Sequence, residues 1–155
     1  MSPVIANVIP RSEMKKAITV LCLFFVSSCG LGHSEISKEL ETQMRNNDWE
    51  KIDLSQVGGS AWQRVCVLGP YSDNSRAEHA LGFKWDLEKK TSVLSSDSVN
   101  VLAFVEGKDV IAYVEHPRTL GDFAQLSGQC FDRVNATLVR DKTTKGNWVS
   151  FVTPK

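Results

Sequence analysis

Hydrophobic positions follow three regimes along the chain, and each predicts a different kind of element. The first is an apolar run, Ala17 to Phe25, interrupted by Thr19 alone and preceded by Lys15 and Lys16. The second is sparse: between Gly30 and Asp48, Ile36, Leu40 and Met44 stand at i, i+4 and i+8 in an otherwise polar segment, with Ser34 as a candidate N-cap. That spacing predicts a segment that is part tether and part weak amphipathic helix. The third begins at Trp49, where β-branched and aromatic residues gather in short runs broken by Gly, Pro and Asn.

Read in order, the third regime predicts a strand at Ala61–Leu68 that ends on Gly69-Pro70. A short helix Ser75–Leu81 follows, capped by Asn74 and stopped by Gly82. Phe83, Trp85 and Leu87 alternate with Lys84 and Asp86, which predicts a further strand. The clearest signal is a hairpin: Val99–Val105, a turn at Glu106–Asp109 containing Gly107, then Val110–Val114. Pro117 ends its second arm, and Thr119–Leu126 has room for one helical turn. Phe131–Val139 and Trp148–Val152 read as the last strands, joined through Lys145-Gly146-Asn147. Their connections are too short for most parallel crossovers, so the sheet should be mostly antiparallel. The expected architecture is α+β: about six strands, one or two short helices and one disulfide.

The Lys15-Lys16 start, the apolar run and the small residues after it have the order of a secretory signal. The run is about 10 residues, half of the ~20 that span a bilayer as a helix. Val26-Ser27-Ser28-Cys29 then resembles the lipobox of bacterial lipoproteins. That resemblance implies cleavage before Cys29 and attachment of diacylglycerol to its thiol. Gly30, rather than Asp, follows the Cys, which in that family favours export to the outer membrane, periplasmic face. The implied organisation is a signal peptide over 1–28, with translation starting at Met14. A lipidated Cys29 and tether follow over 29–48, and a globular domain over 49–155.

Four Cys occur in the 155 residues. Cys22 leaves with the signal and Cys29 takes the lipid, so Cys66 and Cys130 remain as a pair in an oxidising compartment. A structural disulfide is the expectation. With 18 basic and 18 acidic side chains in the full chain, removal of the signal leaves a small net negative charge. The sign is wrong for a protein that grips anionic lipid or nucleic acid.

No residue set names a reaction. His33, His79 and His116 share no ligand spacing with one another or with Cys or carboxylates, so neither a metal nor another cofactor is expected. His116, at a strand end, reads as a surface residue. Asp97, Glu106, Asp109 and Glu115 fall near hairpin ends and could converge, yet without a second motif they read as turn chemistry. No nucleophile elbow, phosphate loop or dinucleotide fingerprint is present, and the protein is expected not to be an enzyme. Trp85 and Trp148 fit core-facing strand positions.

Val67-Leu68-Gly69-Pro70-Tyr71-Ser72, with Ala77 and Leu81 behind it, resembles the opening strand and helix of peptidoglycan-binding SPOR domains. The likeness covers fewer than 20 residues, and the Cys66–Cys130 pair does not suit that pattern. Tyr71, Arg118 and Trp62 are the contact candidates: they are residue types that carry binding energy, set beside strand ends and a Gly-Gly break. The sequence therefore reads as a lipid-anchored lipoprotein with a non-catalytic domain that binds a protein in the periplasm. An immunity protein, a hydrolase inhibitor or an envelope factor would fit. The alternative is a cell-wall-binding module or envelope hydrolase.

Overall fold

The computed structural model describes residues 32–145 and 148–155. The signal and lipobox therefore lie outside the described residues. The chain forms α1 (His33–Asn46), β1 (Lys51–Asp53), β2 (Arg64–Leu68), α2 (Asn74–Leu81) and α3 (Leu87–Lys90). It continues as β3 (Val99–Glu106), β4 (Asp109–Pro117), β5 (Cys130–Asp132), β6 (Thr137–Arg140) and β7 (Phe151–Val152). Four strands pair in the order β4-β3-β2-β5 and three in the order β1-β6-β7. Every ladder between these strands is antiparallel. An isolated parallel bridge joins Asp122 to Ser150. The fold is α+β, with seven strands in two sheets and three helices among the described residues.

β2 and β3 are apolar almost without alternation because both faces of the larger sheet are covered, the condition under which strands lose their two-residue pattern. On one face, Val65, Val67, Leu102, Phe104 and Val114 pack against α1 and the smaller sheet. On the other, Cys66, Leu68, Val101, Ala103 and Val105 meet Ala77 and Leu81 of α2 and Leu87 of α3. Cys66 stands directly opposite Cys130 in the β2–β5 ladder, and the two form a disulfide.

The hairpin lies where its pattern places it, with β3 and β4 each running slightly beyond the expected ends. Elsewhere the sequence reading needs correction. Residues 33–46 form a fourteen-residue helix whose Ile36, Leu40 and Met44 are fully buried, so this helix belongs to the packed body and is not tether. Ala61–Arg64 is not all strand; β2 starts at Arg64. Asp73, not Asn74, caps α2 by accepting from the Arg76 N–H. Phe83–Leu87 forms no strand. Gly82 in the left-handed region closes α2, and four residues later Asp86 caps α3, so no room for a ladder is left. Phe131–Val139 is broken at Arg133–Asn135 by a 3-10 turn into β5 and β6, which join different sheets. Trp148–Val152 contributes only a two-residue strand.

Candidate functional site

β4 ends at Pro117, whose fixed φ starts a 3-10 turn over Arg118–Leu120. The Arg118 N–H donates to the Ser98 carbonyl, which ties this turn to the start of β3. Gly121 follows with φ +135, a conformation open to glycine, and brings Asp122 back beneath Arg118.

The guanidinium is committed in all directions. Nε donates to Asp122 Oδ1 at 2.9 Å and Nη2 to Oδ2 at 2.9 Å. Nη1 donates to the Asp97 carbonyl at 2.7 Å. Its flat face covers the Trp148 ring, 4.7 Å from the centroid. Asp122 Oδ1 also accepts from the Ala124 N–H, and more distantly from the Asn100 amide. The Asp122 backbone bonds Val149 and Phe151, clamping the final strand onto this node.

Electrostatics follow from this geometry. The Asp122 hydrogen bond holds the Arg118 pKa above its ordinary value, against a smaller effect of burial. Burial pushes the Asp122 carboxyl up, but the Arg118 bond, the Ala124 N–H and the guanidinium charge together outweigh it. The carboxyl is held below the usual aspartate range.

Around this fixed cation the surface is apolar. Tyr71 is 58% exposed, Trp148 40% and Leu120 40%. Tyr71 adopts φ +60, its N–H fixed on the Val93 carbonyl. Of the expected contact residues, Tyr71 is exposed and Arg118 partly so. Trp62 does not join them: it is 1% exposed, donates from Nε1 to Val57 at 2.8 Å and packs on Phe104. Its ring is core, covered on the outside by the Arg133 guanidinium. Trp148, read as core, takes the exposed place instead.

His116, read as a surface residue, is fully buried opposite Asn100 in the β3–β4 ladder. Its Nε2 is 3.1 Å from the Leu120 carbonyl, so Nε2 carries the proton and donates. Nδ1 has no partner among the described residues. Desolvation lowers its pKa, while the Leu120 carbonyl and the Glu41 charge act in the opposite direction. The two-residue period that puts Val114 in the core also puts His116 there, a signal present in the sequence. Asp122 could have been found from its four-residue spacing to Arg118.

The four carboxylates of the hairpin ends do not converge. Glu106 and Asp109 face each other at the turn, whereas Glu115 binds Ser92 and the Asp97 backbone serves Arg118. Among the described residues no three His, Cys, Asp or Glu side chains are grouped to hold a metal ion. A separate hollow of about 440 Å³ lies beside the Gly69-Pro70 turn, lined by Ser72, Ser75, Arg76, His79 and Ser127.

No protein-family model matches the chain, and comparison with curated proteins and with solved structures finds no match.

Proposed function

We propose that this chain is a lipid-anchored lipoprotein of the outer membrane's periplasmic face whose domain binds a protein partner without catalysing a reaction. The observation that carries the reading is the Tyr71–Arg118–Trp148 surface. It joins two exposed aromatic rings to an arginine held by three protein acceptors, so ordering costs little when a partner docks. Pre-paid ordering and aromatic area are the properties that turn a small patch into an anchor. An immunity protein, a hydrolase inhibitor or an envelope factor would each fit such a surface.

The test uses the full lipidated chain in detergent as bait for envelope extract and for proteins encoded beside its gene. A stoichiometric partner that is lost on Trp148→Ala and on Tyr71→Ala, with the fold intact by circular dichroism, is the expected result. A partner retained by both variants removes this surface from the reading.

The cell-wall alternative draws on a different observation, the hydroxyl-lined and basic hollow beside Gly69, next to the segment that resembles a SPOR opening. Retention on purified peptidoglycan, abolished by Arg76→Ala and indifferent to Trp148→Ala, would favour it over protein binding.

A further inference from the structure

The lipid anchor constrains which side of the domain can face the membrane. Only Gly30, Leu31 and Gly32 separate Cys29 from His33, the first residue of α1. Four fully extended steps reach about 14 Å. α1 is also no free lever, because Ile36 is fully buried one turn later. On the reading that Cys29 is lipidated, which this inference rests on, His33 must sit at the edge of the headgroup layer. Whatever packs around His33 then shares that position.

The neighbours of His33 have the chemistry of a membrane interface. Its ring meets Tyr113 of β4 edge-on at 4.2 Å, and Tyr113 meets Trp85 edge-on at 5.2 Å. The Tyr113 hydroxyl donates to the Lys90 carbonyl, which brings α3 into the same rim. Trp and Tyr collect at headgroup depth because each joins an apolar ring to a hydrogen-bonding tip.

Lysines stand on the same rim. Lys84, Lys89 and Lys90 are exposed and make no ion pair among the described residues. The adjacent carboxylates are engaged elsewhere: Asp86 caps the Lys89 N–H and Glu88 accepts from the Asn74 N–H. Asp86 and Glu88 keep their charge, and Glu78 stands beside Lys84 and Trp85, so the rim is one of mixed charge whose ammonium groups can meet lipid phosphates.

We propose that the rim of His33, Tyr113 and Trp85, with Lys84, Lys89 and Lys90 beside it, is the face on which the domain rests against phospholipid headgroups. The Arg118 surface lies elsewhere. Met44, at the far end of α1, packs under Gly121, and a fourteen-residue helix is about 21 Å long. The anchored domain would then keep the Arg118 turn a helix length from its point of attachment.

The experiment uses the full lipidated chain in phosphatidylethanolamine–phosphatidylglycerol vesicles, with and without a lipid carrying a headgroup nitroxide. Intact mass first establishes the diacylglycerol on Cys29. Tryptophan emission should be quenched by the nitroxide, with Trp85→Phe losing most of that quenching and Trp148→Phe retaining it. A second reading needs no variant: on vesicles, Lys84, Lys89 and Lys90 should lose reactivity toward an amine-acylating reagent relative to detergent, while Lys142 keeps its own. Quenching that survives Trp85→Phe, or unprotected lysines, in protein that does carry lipid overturns the docking face and leaves the anchor standing. Protein without the lipid mass overturns the anchor reading and this inference with it.

Discussion

Arg118 and Asp122, separated by one 3-10 turn and Gly121, hold each other through two parallel hydrogen bonds of 2.9 Å. Asp122 is 7% exposed, so the carboxylate has little water to fall back on. The pair also fixes the chain on both sides, through Asp97 on one side and through Val149 and Phe151 on the other.

Removing the cation should therefore cost more than removing both charges. Arg118→Ala strands a nearly buried carboxylate and is expected to lose about 2–3 kcal/mol of stability. Arg118→Met combined with Asp122→Leu should lose less. Urea unfolding monitored by circular dichroism measures both, and equal losses would show that the pair's geometry, not the stranded charge, sets the cost.

The same carboxylate gives an acid limb to the stability curve. Its folded pKa lies below the ordinary aspartate value, so the unfolded state binds its proton first. The stabilisation is complete above an unfolded value of about 3.9 and is lost as pH falls through it toward the lower folded value. Asp122→Asn should flatten that limb in urea midpoints recorded across the acid range, with little change in slope near neutrality.

His116 acts in a higher window. Burial keeps it neutral, so its folded pKa is lowered and the unfolded chain again takes the proton first. Stability should begin to fall once pH drops below about 6.5, with a limiting slope of about 1.4 kcal/mol per pH unit for one proton. Nuclear magnetic resonance titration of the imidazole would locate the folded value. His116→Gln should remove the slope between neutrality and the aspartate limb.

What the sequence made legible, and what it did not, follows from the range of the forces involved. The β3–β4 hairpin was readable because its apolar arms and the glycine turn agree within one short stretch. The Cys66–Cys130 pairing was readable by elimination. Phe83–Leu87 was misread because alternation measures burial, and loops pinned between two helix caps can bury alternate residues without a ladder. Helix α1 looked weak since only three of its residues are buried; their weight comes from β4 and the small sheet, which no local window contains. Trp62 and Trp148 exchanged roles for the same reason. Each ring carries a stacked guanidinium, Arg133 on Trp62 and Arg118 on Trp148, and nothing near either residue states that only the first will be buried.

Reduction of the disulfide should be felt strongly. Cys66 and Cys130 are 64 residues apart, and closing a loop of that size restricts the unfolded chain by roughly 4 kcal/mol. The bond joins the central β2 to the edge strand β5. Loss of the covalent link should therefore also raise amide hydrogen exchange along β5 before the hairpin opens. Comparing urea midpoints of the wild type with and without reductant, beside Cys66→Ala/Cys130→Ala, separates the covalent effect from the packing of the two sulfurs. A midpoint unchanged by reductant would mean that β5 is held by its ladder alone.

Gly121 links the Arg118 turn to α1. At φ +135, a Cβ at this position would stand 2.7 Å from Met44 Sδ and 3.4 Å from His116 Nε2. Gly121→Ala thus adds backbone strain to overpacking and should cost about 2–4 kcal/mol in all. Met44→Ala alone opens a cavity under the turn and should cost about 2–5 kcal/mol. Combined, they should cost clearly less than their sum, because the missing sulfur makes room for the new methyl and only the strain at φ remains. A urea-unfolding double-mutant cycle measures the coupling. Additive losses would mean that the turn and the last turn of α1 do not share this contact in solution.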